Sequence, residues 1–243
     1  MSFLAVEAVR KRFGGVEALA GCSLDIEEGS VTGIIGPNGS GKTTLFNVIS
    51  GFVPPDSGVV RLRDRAIHGL PPEQIYGLGL GRTFQQVRIF PRLSVLENVL
   101  VASARCSLAR AMFQRTGGRE RERSLALLHF LGIDGLRDAP AGSLSFGQKK
   151  LLEIATILVG EPRVILLDEP AGGVNPTMAA QLAGRIRALN RQGVAFLIVE
   201  HNMEFVMGLC DRIVVMARGR VIAEGRPEEV RANPEVLEAY LGS

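Results

Sequence analysis

Val31-Thr32-Gly33-Ile34-Ile35-Gly36-Pro37-Asn38-Gly39-Ser40-Gly41-Lys42-Thr43 is the stretch on which the reading of this chain turns. Val31–Ile35 is a run of apolar and β-branched residues, which predicts a buried strand. A glycine-rich turn follows, and a helix is expected from Lys42 onward. Gly36 to Thr43 matches G-x-x-x-x-G-K-[ST], with a strand before it and a helix after it, the context that gives such a match its meaning. The glycines let backbone N–H groups turn inward around phosphate oxygens, and the helix N-terminus adds its positive dipole. Lys42 is then placed to reach β- and γ-phosphates, and the Thr43 hydroxyl to help hold Mg²⁺. A plain glycine-rich turn would not need Lys and Thr in that register.

A second stretch, Val164-Ile165-Leu166-Leu167-Asp168-Glu169, puts four apolar residues before two carboxylates. A buried strand there delivers both acids to its C-terminal edge, where open α/β sheets bind ligands. Asp168 would hold Mg²⁺ directly or through water, and Glu169 would polarise an attacking water as general base. Alone, the stretch reads equally well as a strand capped by solvated acids. Paired with the phosphate loop, it points to a nucleoside-triphosphate hydrolase.

Around these two stretches, Ala5–Arg10, Cys22–Ile26 and Val59–Leu62 read as short strands, with Glu28-Gly29-Ser30 and Pro54 to Gly58 as turns. From about Ser94 to Leu136 the periodicity is helical, with Leu96, Val99 and Leu100 on one face, then Leu125, Leu128 and Leu131. Beyond Ser145, helix alternates with buried strand: Leu151–Val159, Val164–Leu167, Ala179–Asn190, Ala195–Val199. That alternation predicts a parallel sheet with crossover helices. The fold expected is α/β: a P-loop NTPase core with a parallel sheet and flanking helices, an N-terminal antiparallel β part and a mostly helical inserted subdomain. The expected division is a nucleotide-binding core of about 1–93 and 145–232, a helical subdomain of about 94–144, and a helical extension of about 233–243 starting near Pro234.

Bulk properties narrow the class. At 243 residues with 46% hydrophobic residues, the chain can bury a full core. No apolar run reaches the roughly 18 to 20 residues that cross a bilayer, so any membrane role comes through a partner. The formal charge of +3 is no concentrated basic face, and Arg115–Arg123 is interrupted by Glu120 and Glu122, so nothing points to nucleic acid. Cys22, Cys106 and Cys210 are scattered without metal-ligand spacing, as expected for reduced thiols. The Met1–Leu4 start has no charged segment followed by an apolar one, so no signal peptide is expected.

Leu144-Ser145-Phe146-Gly147-Gln148 resembles the signature of the ABC (ATP-binding cassette) ATPases, usually L-S-G-G-Q. It stands before a helix and upstream of the Asp168-Glu169 strand, as in that family, with Phe146 replacing the first glycine. An aromatic or other bulky residue there also occurs in importer ATPases for branched-chain amino acids. The resemblance covers Leu4 to Gly242 and implies several roles. Ser145, Phe146, Gly147 and Gln148 would face the γ-phosphate held by the opposite subunit. Gln85, in Arg82-Thr83-Phe84-Gln85-Gln86, matches the glutamine that contacts Mg²⁺ and the water. His201 matches the switch histidine at the γ-phosphate, although a lone His is more often structural. Phe13 sits where an aromatic stacks on adenine, with a core Phe on an amphipathic strand as the alternative. The implied ATP-binding set is Phe13, Gly36, Pro37, Asn38, Gly39, Ser40, Gly41, Lys42, Thr43 and Thr44, with Mg²⁺ on Thr43, Gln85 and Asp168. Ala171–Pro176 matches the D-loop, with Asn175 where many relatives have Asp.

Finer features resemble the branched-chain amino-acid importer group: Phe13-Gly14-Gly15-Val16, Gly173-Val174-Asn175-Pro176, Glu200-His201-Asn202-Met203 and the ending Ala239-Tyr240-Leu241-Gly242. The resemblance implies an ATPase that energises uptake of branched-chain amino acids, at the cytoplasmic face of the inner membrane. Urea or short-amide import, or a soluble non-transport ABC ATPase, are the alternatives. Its implied partners are a second ATPase chain, in a homodimer or heterodimer, integral membrane permease subunits and, indirectly, an extracytoplasmic substrate-binding protein.

Overall fold

The computed structural model describes residues 2–103 and 118–241. Cys106, Arg115, Gly242 and the middle of the expected helical stretch lie outside the described residues. The chain builds two sheets. Strands β1 (Ser2–Phe13), β2 (Val16–Glu27), β4 (Ser57–Leu62) and β5 (Arg65–Ala66) form an antiparallel sheet in the order β2-β1-β4-β5. Strands β3 (Val31–Ile35), β6 (Leu80–Arg82), β7 (Val164–Asp168), β8 (Ala195–Val199), β9 (Arg212–Ala217) and β10 (Arg220–Gly225) form the second, in the order β10-β9-β3-β8-β7-β6. Every pairing in it is parallel except β10 with β9. β3 lies at the centre, with Thr32 opposite both Leu197 and Arg212.

Among the described residues the helices are α1 (Lys42–Ile49), α2 (Pro72–Gly77), α3 (Val95–Ser103), α4 (Gly118–Phe130), α5 (Phe146–Leu158), α6 (Pro176–Asn190), α7 (Met203–Leu209), α8 (Pro227–Ala232) and α9 (Pro234–Leu241). The parallel strands alternate between two cores, as a period of two requires. Ile165, Leu167, Phe196, Ile198, Ile213 and Val215 face one side, against the apolar faces of α3 to α7. Val164, Leu166, Leu197, Val199, Val214 and Met216 face the other, against α1 and the antiparallel sheet, where Phe46 is fully buried. Among the described residues, no helix is long and apolar enough to cross a membrane.

The fold class agrees with the sequence reading, and the element bounds differ instructively. The short N-terminal strands are in fact two paired strands of 12 residues each. The register shifts between Val6 and Val9, where Ala8 has φ 47°, and that bulge breaks the alternation a sequence pattern relies on. The helix expected from Leu151 begins at Phe146, because Ser145 caps it. The sequence reading did not include β6, β9, β10, α7 and α8; β6 is three residues long, whereas Ile213–Met216 in β9 is an apolar, β-branched run of the same kind as Val31–Ile35.

Candidate functional site

The phosphate loop is built by close backbone contact. Gly41 has φ 104°, and a side chain there would meet the Ala18 carbonyl at 2.6 Å. Gly219, at the β9–β10 turn, donates its N–H to the Ser40 carbonyl at 3.0 Å, and its own carbonyl accepts from Ala20 N at 2.9 Å. The loop is thereby pinned between β2 and the β9–β10 turn. Gly39, with φ 77°, has open space where a side chain would stand. The Lys42 ammonium is turned back on the loop, donating to the carbonyls of Gly36 (2.7 Å) and Pro37 (2.9 Å). Burial pulls its pKa down, while Glu169 and Asp168 pull it back up, so the loop cation and the acid pair share one field. A cleft of about 830 Å³ opens over Pro37–Ser40, walled by Glu17, Arg218, Arg220 and α9.

The acid pair sits where β7 ends. Asp168 is 5% exposed, and burial raises its pKa while the Arg82 guanidinium lowers it. Its Oδ2 lies 3.4 Å from Arg82 Nη2, and its backbone N–H donates to Thr83 Oγ1 at 3.1 Å. Glu169 leaves the strand with φ 49°, a left-handed conformation that costs a non-glycine residue of order 1 kcal/mol or more. Its Oε1 is 3.1 Å from His201 Nε2. His201 is therefore no isolated structural histidine: the fold sets it against the proposed base. The adjacent Glu200 is 3% exposed and accepts from Ala171 N (2.6 Å), His201 N (3.0 Å) and Asn202 N (3.2 Å). One buried carboxylate thus ties the turn after Glu169 to the turn that carries His201.

The other residues assigned to the site lie on separate elements. Phe13 is 51% exposed at the tip of the β1–β2 hairpin, which excludes the core-residue reading, and the Lys11 ammonium lies 5.6 Å from its ring centroid. Gln85 is exposed on the loop between β6 and α3. Ser145 caps α5 in a reciprocal capping box: its Oγ accepts from Gln148 N, and its N–H donates to Gln148 Oε1 at 2.9 Å. Gly147 lies against Val174 and Met178, and the half-exposed Phe146 ring against Gly173. Asn175 caps α6, accepting from Met178 N at 2.8 Å. That task explains why a short polar side chain stands there and needs no charge.

Sequence reasoning missed four buried charges. Arg82, Lys150, Glu153 and Glu200 are each under 10% exposed and hold the loops that carry Gln85, Asp168, Glu169 and His201. Glu200 alone left a usable signal, a carboxylate directly after the buried strand β8.

A parallel sheet that brings a phosphate loop, an Asp-Glu pair and a histidine to one edge defines a nucleoside-triphosphate hydrolase of the cassette type. The family described as ABC transporter matches residues 19–172. A second, described as branched-chain amino acid ATP-binding cassette transporter, matches residues 220–243. The chain is 40% identical over 248 residues to the high-affinity branched-chain amino acid transport ATP-binding protein LivG of Salmonella typhimurium, covering 98% of this chain and 97% of that protein. An ABC transporter cassette in its ADP conformation superposes with a TM-score of 0.90 at 38% identity, over the whole of both chains. A dimeric cassette bound to ADP and Pi superposes with a TM-score of 0.80 at 26% identity, over 92% of this chain and 98% of that one. The chain belongs to the ABC transporter family and is an ATP-binding, ATP-hydrolysing cassette.

Proposed function

We propose that this cassette is the motor of an importer for branched-chain amino acids, acting in a dimer on membrane permease subunits fed by an extracytoplasmic binding protein. The observation that carries the motor role is the convergence of Lys42, Asp168, Glu169 and His201 at one edge of the parallel sheet. The match of residues 220–243 to the branched-chain cassette family supports the cargo. In this reading, residues of about 1–93 and 145–232 form the nucleotide-binding core and about 94–144 the helical subdomain. About 233–243 form the helical extension. The working position is the cytoplasmic face of the inner membrane.

The loop Gly36–Thr44 binds ATP phosphates with its backbone N–H groups and Lys42, which exchanges its two carbonyl partners for phosphate oxygens. The Phe13 ring stacks on adenine. The oxygen donors of Thr43, Gln85 and Asp168 suit Mg²⁺, a hard cation that takes one or two carboxylates together with substrate phosphates. When bound, Mg²⁺ neutralises charge on the phosphates. Glu169 accepts a proton from the attacking water, and His201 steadies the carboxylate and meets the γ-phosphate. Ser145, Phe146, Gly147 and Gln148 belong to the site of the opposite chain, so two chains complete each ATP site.

Uptake of labelled leucine by cells lacking this chain, with the wild type or Glu169→Gln restored, tests the proposal. Restoration of leucine uptake by the wild type alone is expected. Normal leucine uptake without the chain, with loss of urea uptake, would overturn the cargo and leave the ATPase reading standing.

A further inference from the structure

Two of the buried charges lie on one helix, and that helix begins at the signature turn. Lys150 is 8% exposed and Glu153 is 4% exposed; they are three residues apart, so they share a face of α5. Buried charges persist only where hydrogen bonds compensate their desolvation. For Lys150 the partners are the carbonyls of Glu169, Pro170 (3.4 Å) and Gly172 (2.8 Å), which use all three ammonium donors. These carbonyls belong to the turn that holds Glu169 at positive φ. For Glu153 the partners are backbone N–H groups at both ends of the Gln85 loop. Its Oε1 accepts from Phe84 at 3.3 Å and from Arg88 at 3.2 Å. The Arg88 guanidinium closes over the Phe84 ring, 3.7 Å from its centroid, so the loop between the two anchors is shut.

Neither contact belongs to α5's own folding. The helix is already capped by Ser145 and Gln148, and its apolar face is buried through Leu151, Leu152, Ile154, Ala155 and Leu158. At about 1.5 Å per residue, Lys150 and Glu153 stand roughly 8 and 12 Å along the axis from Ser145. A rotation or shift of the signature turn therefore moves both attachments together.

We propose that Lys150 and Glu153 are positioning residues that transmit the state of the signature turn to Gln85 and Glu169 of the same chain. The proposal rests on the roles assigned above to Gln85 and Glu169. When Ser145 and Gly147 close on a nucleotide held by the opposite chain, α5 reorients. Lys150 then carries the Glu169 turn with it, and Glu153 carries the Gln85 loop. Each ATP site thereby senses occupation of the other through one helix.

The test compares Glu153→Leu, Glu153→Asp and Glu153→Gln in the purified full chain, reading Mg-ATP hydrolysis against ATP concentration. Glu153→Leu removes the acceptor, and Glu153→Asp draws the carboxylate back from both amides. Both should lower kcat about tenfold or more with KM within about threefold, the pattern of misplaced catalytic groups rather than lost ATP binding. Glu153→Gln keeps an oxygen for both N–H groups and should recover most of the rate. Amide hydrogen exchange across residues 83–90 should accelerate in the Leu and Asp variants and stay slow in the Gln variant. If Glu153→Leu fails to fold, Glu153→Asp decides. A folded Leu or Asp variant with kcat within about twofold of wild type overturns the proposal, as does a Gln variant as slow as either. Glu169→Gln, measured alongside, separates the two levels: normal turnover there sinks the site reading itself. An inactive Glu169→Gln beside an unaffected Glu153 series sinks only the transmission.

Discussion

Arg82→Met probes how the sheet edge tolerates a buried carboxylate. Methionine keeps arginine's stem as far as the Nε position and removes the guanidinium with its charge. Arg82 Nη1 donates to Asn47 Oδ1 at 2.8 Å and to Ser50 Oγ at 2.7 Å, while Nη2 faces Asp168 Oδ2 at 3.4 Å. The guanidinium is ringed by Phe84, Phe46 and Phe52, with centroids 5.1, 5.6 and 5.7 Å away. Both side chains of the ion pair are 5% exposed, so solvent cannot replace the lost partner. Removing one member of such a pair costs about 3–5 kcal/mol, chiefly because the other charge stays buried. The bonds to Asn47 and Ser50 account for about 1 kcal/mol each of that loss. Ser50 keeps its own bond to the Phe46 carbonyl at 2.6 Å, which limits its share. Asp168 has an escape, since burial already raises its pKa and a proton can take the place of the guanidinium. The expected loss is therefore about 3–4 kcal/mol at pH 7.5, within the range for breaking a buried pair, and smaller near pH 5. Urea unfolding followed by circular dichroism measures it. Adding Asp168→Asn should restore about 2 kcal/mol, because the second change removes the stranded charge. A single-variant loss below about 1 kcal/mol would refute the reasoning, as would additivity of the two changes within about 0.5 kcal/mol.

Three other outcomes are expected. Phe13→Ala should weaken ATP binding about tenfold, the scale of one lost aromatic–base stack, with the melting temperature unchanged because the ring is exposed; fluorescent-ATP titration reads it. Burial pushes the Glu153 carboxyl from 4.5 up to about 7, so between those values the folded chain holds a proton that the unfolded chain has released. Stability should fall by about 3 kcal/mol as pH rises through that window, and Glu153→Gln should remove that share of the slope in urea midpoints taken from pH 4.5 to 7.5. Phe90 is 57% exposed while Asn98 holds its backbone at both N–H (2.7 Å) and carbonyl (3.1 Å). Phe90→Asp should therefore fold normally and keep basal ATPase within about twofold while transport is lost, as expected for a surface apolar contact with a partner; reconstituted uptake beside hydrolysis is the check.

What the sequence determined by itself was whatever depends on neighbours along the chain. A short run of β-branched and apolar residues between turns reads as a buried strand, and the spacing of Gly36, Gly41 and Lys42 matches a phosphate loop between strand and helix; both are legible without a fold. The same holds for the signature turn, whose capping box spans Ser145 to Gln148, and for the apolar strand that ends at Asp168. Tertiary structure decided the contacts between distant positions. Arg82 meets Asp168 across 86 residues, and Glu153 meets Phe84 across 69. Such pairs leave no periodicity, because a charge that is buried and one that is solvated look alike in a sequence. Phe13 shows the converse: its place in an alternating strand fits a core residue, and only the hairpin's reach beyond the body of the sheet exposes it. The motifs name the reacting groups. The packing of α5, β6 and β7 decides how firmly each is held, because burial converts weak polar contacts into strong constraints.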